Sequence, residues 1–96
     1  MLINKPIESQ STITIKTTGG DEVVARFVEQ DNNTLTIKKP LALMVTQNGI
    51  GLGPWVFTAD VEENIELNKS TIVFYAKTDK DMANQYMTST TGLAMA

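Results

Sequence analysis

The sequence contains no cysteine and no histidine. Without cysteine, disulfide bonds and thiolate metal sites are excluded. Without histidine, the commonest general base and metal ligand is missing, so Ser-His-Asp and Cys-His catalysis are excluded as well. No nucleophile–base pair can be assembled from the carboxylates, lysines and tyrosines that remain. We therefore expect a protein that is not an enzyme, has no catalytic or metal-binding residues and uses no cofactor.

Long apolar runs are also missing. No window of the 96-residue chain approaches the roughly 20 apolar residues of a membrane span, and its start lacks the basic head and apolar run of a signal peptide. We expect a soluble, cytoplasmic protein without membrane contact, in the host cytoplasm if it is viral. A net charge of −3 argues mildly against a nucleic-acid binder, although a ring or groove can concentrate a few cations.

The sequence does contain regular alternation of apolar and polar residues, which predicts short β-strands. Residues 22–30 carry apolar side chains on both faces, which indicates a central strand. A third strand begins at Thr34 and bends at Lys39-Pro40, because proline cannot donate to a strand ladder. Residues 49–58 form either a fourth strand or a long structured loop. Further strands are predicted at 12–16 and on both sides of a polar corner at 68–70, with turns at 19–21, 31–33 and 48–49.

Asp79 is a candidate N-cap for a short helix from Lys80 to about Met87, and residues 89–96 predict a frayed tail. The predicted fold class is mainly β: a small, strongly bent five-stranded barrel with a short helix. We divide the chain into an N-terminal arm (1–11), a β-barrel domain (12–78) and a C-terminal helix and tail (79–96). The predicted core residues are Phe27, Leu35, Ile37, Ile72 and Phe74.

Two stretches of the chain nearly keep spacings that occur together in one protein family, with Ala25 in place of that family's glycine and Asp31 about one residue late. In the first, Gly20 is followed by Val23, Ala25, Phe27, Asp31, Asn33 and the apolar pair Leu35 and Ile37; in the second, Leu67-Asn68-Lys69 is followed by Ile72. Over residues 13–76 the chain resembles the Sm-like family, the ring-forming RNA-binding proteins of the Sm, LSm and Hfq type. The resemblance implies a homo-oligomeric ring of about five to seven subunits that binds single-stranded RNA, or DNA. The family's Arg-Gly pair and loop aromatic have no counterpart here.

Asp31, Asn32 and Asn33 are the first candidate nucleic-acid-binding residues. Such side chains favour turns by bonding their own backbone, but an amide and a carboxylate can also read the edge of an unstacked base. The two roles are compatible. Asn68 and Lys69 form a second polar corner, where Lys69 would contact phosphate and Asn68 a base. We expect the two corners to lie close together.

Other residues have both a functional and a structural interpretation. Arg26, Lys38 and Lys39 either add positive charge to a binding surface or belong to a solvated strand face. Trp55 and Phe57 are either a stacking platform for single strands or anchors of a core or an interface. We favour an interface for Trp55, because the glycines around it suggest an exposed segment.

The alternative function is a structural or adaptor oligomer, such as a viral or phage accessory protein that has kept the ring but lost RNA binding. The excess of acids over bases and the missing Arg-Gly pair favour this alternative. Asp60, Glu62 and Glu63 match no ligand spacing for Mg²⁺ or Ca²⁺, so they predict only an acidic loop.

Overall fold

The computed structural model describes residues 7–91; residues 1–6 of the predicted arm and 92–96 of the predicted tail lie outside the described residues. Within them it contains six strands, against the five predicted, and one α-helix, which confirms the mainly β class with a short helix. A 3-10 helix over Lys69–Thr71 lies between the last two strands. The elements are β1 (Thr12–Thr17), β2 (Glu22–Gln30), β3 (Thr34–Thr46), β4 (Gly49–Pro54), β5 (Ile65–Asn68), β6 (Ile72–Lys77) and α1 (Lys80–Thr91).

All strands belong to one antiparallel sheet in the order β4-β3-β2-β1-β6, with β5 also paired to β3. The long strand β3 pairs with β2 along one edge. Along its other edge, its first part pairs with β5 and its second part with β4. Residues 49–58, for which the sequence allowed either a strand or a loop, form a strand as far as Pro54 and a loop beyond it. In the described part of the chain, β4, β5 and β6 each pair with a single neighbour, so each presents one unpaired edge.

The predicted bend of β3 at Lys39-Pro40 is confirmed. Lys39 has a φ of +52°, and the β2–β3 register shifts between Val24 and Arg26, opposite this point. The amide of Lys39 donates to the carbonyl of Val61 over 3.0 Å. Its carbonyl accepts a 2.7 Å hydrogen bond from the hydroxyl of Tyr86 on α1. The irregular backbone is thus bonded on both sides, which satisfies polar groups that the ladder leaves unpaired.

The core lies between the inward faces of β1, β2 and β3. Phe27, Leu35 and Ile37 are buried as predicted, and they pack with Ile13, Ile15, Val23 and Ala25. Ile72 packs against this cluster but stays partly exposed. The predicted burial of Phe74 is wrong, because its relative exposure is 53%.

A bulge at Val73 explains the error at Phe74. In the β1–β6 ladder, Thr17 lies opposite Ile72 and Lys16 lies opposite Phe74, so Val73 is the extra residue. Strict alternation from Ile72 would turn Phe74 inward. The bulge shifts the phase by one residue, and Tyr75 packs against the core instead.

Helix α1 begins where it was predicted but ends later. The carboxylate of Asp79 accepts from the amide of Met82 over 2.9 Å, which confirms the N-cap. Residues 89–91, predicted as part of a frayed tail, continue the helix to Thr91. Tyr86 is fully buried, so α1 is anchored on the sheet. Among residues 7–91 no helix has the length and apolar character needed to span a membrane.

Candidate functional site

The corner between β2 and β3 is built by the side chain of Asp31. Its Oδ1 accepts hydrogen bonds from the backbone amides of Asn33 and Thr34, both at 2.8 Å. These two bonds hold the pKa of the Asp31 carboxyl below its ordinary value, and the positive charge of Lys69 adds to the effect. The predicted turn is confirmed, and Asp31 supports it. Binding by this residue remains a prediction.

Asn32 and Asn33 present unengaged amides at the same corner. Both residues are exposed, and within residues 7–91 neither side chain takes part in a hydrogen bond. An amide offers both donors and an acceptor. These two side chains are therefore available to a ligand, whereas Oδ1 of Asp31 is occupied by the turn.

Asn68 closes β5 and caps the 3-10 helix. Its Oδ1 accepts from the amide of Ser70 over 3.0 Å, and its backbone carbonyl accepts from the hydroxyl of Thr71 over 2.7 Å. In the β3–β5 ladder it lies opposite Thr34, the residue that follows the first corner. Asn68 therefore has a structural role that uses its side-chain oxygen. Among the described residues its side-chain nitrogen takes part in no hydrogen bond.

The two corners are in direct contact. The backbone amide of Lys69 donates to the carbonyl of Asn33 over 2.8 Å. The expectation that the corners lie close together is therefore confirmed. The contact is between backbone groups, so it brings the two residues together without using either side chain.

The side chain of Lys69 lies against two residues that the sequence did not point to. Its Nζ donates to Oε1 of Gln30 over 2.7 Å and sits 5.8 Å from the centroid of the Tyr75 ring. The hydroxyl of Tyr75 also donates to Oε1 of Gln30. Gln30 could have been suspected as the last residue of β2 before the corner. Tyr75 had no such signal, because its position depends on the bulge at Val73.

The surroundings of the first corner are acidic. A polar hollow of about 190 Å³ beside it is lined by Glu29, Gln30, Asp31, Thr34, Thr36 and Glu66. Three of these residues carry carboxylates, and Lys69 is the nearby cation. A polyanionic ligand would be repelled on the acidic side, so favourable contact is confined to the side of Lys69.

Arg26, Lys38 and Lys39 do not join the two corners. Arg26 lies opposite Lys38 near the bend of β3, where its guanidinium donates to the sulfur of Met87 over 3.2 Å. Its Nε is buried without a partner among the described residues. Lys39 forms an ion pair with Glu62 at 3.7 Å. These cations belong to the side of the sheet that carries α1.

Trp55 also lies away from the corners. Its ring packs against the core, and its Nε1 donates to the carboxylate of Asp21 over 3.1 Å. Asp21 precedes β2 and Asp31 follows it, so Trp55 marks the opposite end of that strand. Phe57 is 83% exposed.

The acidic loop after β4 is a turn in the structure. The Asp60 carboxylate accepts from the amide of Glu62 over 3.0 Å, and the Asp60 carbonyl accepts from the amide of Glu63. In the part of the chain that the structure describes, no group of three or more acidic side chains is placed to hold a metal ion.

Comparison with known proteins finds no matching family model and no matching curated protein. The fold and the joined corners are therefore the basis for a functional proposal.

Proposed function

We propose that the protein is an Sm-like, ring-forming protein that binds single-stranded RNA, or single-stranded DNA, at the two joined corners. The observation that carries the proposal is the bond between the Lys69 amide and the Asn33 carbonyl. It joins a residue that has an unengaged amide side chain to a residue that carries a cation. An amide can pair with the edge of an unstacked base, while a lysine neutralises phosphate without regard to sequence.

The Sm-like assignment is supported by what the motif residues do in the fold. Gly20 has a φ of +99° in the turn before β2, a conformation that other residues rarely adopt. Val23 and Phe27 point into the core from β2. The second motif, around Asn68 and Lys69, falls at the junction between β5 and β6.

The ring is supported by unpaired edges and exposed apolar residues. Met44, Val45 and Ile50 are exposed on the β3–β4 hairpin, as are Val73 and Phe74 on β6. Pairing the β4 edge of one subunit with the β6 edge of the next would cover both patches. Such a head-to-tail contact closes into a ring when its rotation permits. Each subunit then contributes a copy of the site, and weak single contacts gain from multivalency.

The adaptor alternative is favoured by the carboxylates of Glu29, Asp31 and Glu66 around the first corner. Both functions require that the protein assembles, but the adaptor function requires no nucleic acid. The distinguishing experiment is a fluorescence-anisotropy titration of labelled single-stranded RNA and DNA at low salt, with a duplex of equal length as control. We expect saturable binding of a single strand. An assembled protein that binds none of these oligonucleotides would leave the adaptor function as the better account.

A further inference from the structure

The ring of Tyr75 adjoins the joined corners, and neither corner contains an aromatic residue of its own. In the structure Lys69 and Tyr75 share one acceptor, Oε1 of Gln30. A carbonyl oxygen has two lone pairs, so the two donors together satisfy it. The ammonium of Lys69 thereby rests within cation–π range of the Tyr75 ring.

We infer that Tyr75 is a stacking platform for a base of the bound strand, exposed when Lys69 leaves Gln30 for a phosphate. The inference rests on the proposed function and adds a residue and a sequence of events to it. Lysine is suited to such an exchange, because its ammonium is a point charge on a flexible stem. A phosphate oxygen is also the stronger partner, since a hydrogen bond between two ions is stronger than one to a neutral amide.

Space for the base exists beside the ring. A hollow of about 320 Å³ is lined by Lys69, Ile72, Val73, Phe74 and Tyr75. Its walls are apolar and aromatic with a single cation, which matches a nucleotide with its flat base and charged phosphate. The base occupies the part of this hollow next to Lys69 and Tyr75. Val73 and Phe74 remain free to form the contact between subunits. The ring stays in place after Lys69 has moved, because Tyr75 packs against the core.

The inference is tested by comparing an oligouridine with an abasic strand of the same length and charge. The wild-type protein should prefer the strand with bases by about tenfold. Tyr75→Leu should reduce this preference to the part that base-edge contacts such as those of Asn33 provide, and it should keep the salt dependence of binding, which reports phosphate contacts. Tyr75→Phe keeps the ring and should keep the preference. Circular dichroism checks that both variants fold, since Tyr75 packs against the core.

A second measurement needs no variant. Oligonucleotides carrying 5-iodouridine, cross-linked to the wild-type protein by light and mapped by mass spectrometry, should form their adduct at Tyr75. Equal binding of the abasic and base-bearing strands, or an adduct at Trp55 or Phe57 instead, would overturn the role of Tyr75 while leaving nucleic-acid binding intact. Failure of the wild-type protein to bind either strand would overturn the proposed function itself, and the inference with it.

Discussion

Lys69 and Asn33 are joined through their backbones by a hydrogen bond of 2.8 Å. This bond ties the β2–β3 turn to the 3-10 helix that precedes β6. Neither side chain takes part in it, so either can be replaced while the backbone contact stays in place. Weaker binding in such a variant can then be attributed to the missing side chain and not to a displaced corner.

Phe27 should contribute more to stability than any exposed aromatic residue, because it is only 4% exposed and lies in the core cluster. Phe27→Ala should cost about 3–5 kcal/mol through lost transfer energy and the cavity left behind. That is a large part of the stability of a small domain. Phe57→Ala, at an 83% exposed position, should change stability by less than about 0.5 kcal/mol. Equal melting temperatures for wild type and Phe27→Ala would show that the strand assignment is in error.

Tyr86 should make the protein sensitive to alkaline pH. Burial raises the pKa of its hydroxyl from 10.0 to about 12, although the charge of Arg26 opposes the shift. The hydroxyl ionises at a lower pH in the unfolded chain than in the folded protein. The free energy of unfolding should therefore stay constant up to the ordinary pKa of 10.0 and fall as the pH rises from there to about 12. Denaturation midpoints followed over this range test the effect. Tyr86→Phe should remove this part of the pH dependence, and an unchanged profile in that variant would contradict it.

Asp31 should produce the opposite dependence at acid pH. Its pKa lies below the ordinary 3.8 in the folded protein because its carboxylate accepts two backbone hydrogen bonds. A depressed pKa stabilises the folded protein at any pH above the ordinary pKa of the group. This contribution disappears as the pH falls through the pKa that the group has in the folded protein. The stability difference between wild type and Asp31→Ala should therefore shrink in acid. Asn32→Ala, in the same turn, should differ from wild type by an amount independent of pH. Parallel profiles for wild type and Asp31→Ala would rule out this role for the carboxylate.

Phe74 should matter for assembly and not for folding of the subunit. It is 53% exposed on the strand whose edge is proposed to join subunits. Phe74→Glu places a charge in that contact and should reduce the mass found by light scattering, with the β signal in circular dichroism unchanged. Phe57→Glu, at an exposed loop position, should leave the mass unchanged. A wild-type protein that is monomeric across micromolar concentrations would contradict the ring.

Most of the fold could be predicted because its signals are local. Gly20 in its turn, Pro40 at the bend and Asp79 at the start of α1 each act within a few residues of their own position. The error at Phe74 has a non-local cause, since the bulge at Val73 is visible only in the pairing with β1. Helix α1 runs longer than predicted through a threonine-rich end. There Thr90 and Thr91 donate to the carbonyls of Tyr86 and Met87 one turn earlier.

The candidate site also has a part that the sequence predicted and a part that it did not. The two polar corners were visible as turn residues in the sequence. The contact of Lys69 with Gln30 and Tyr75 was not visible in the sequence, because it joins the end of β2 to residues that are 39 and 45 positions later in the chain. Sequence patterns report which face a residue occupies. They do not report which distant side chain lies beside it.

The central claim is that the joined corners bind a single strand, with Lys69 contacting phosphate. The most direct measurement is the affinity for single-stranded RNA as a function of salt, for wild type, Lys69→Ala and Lys16→Ala. Lys16 is a matched control: it lies on β1 opposite Glu22, which is at the end of β2 away from Asp31, and it forms a weak ion pair with Glu22 at 4.0 Å. Lys69→Ala should weaken binding to every sequence, and the slope of log K against log salt should fall by about 0.7 for each phosphate that the variant no longer neutralises. Lys16→Ala should match wild type. Identical affinities and slopes for wild type and Lys69→Ala, or no binding by the wild-type protein at low salt, would contradict the claim.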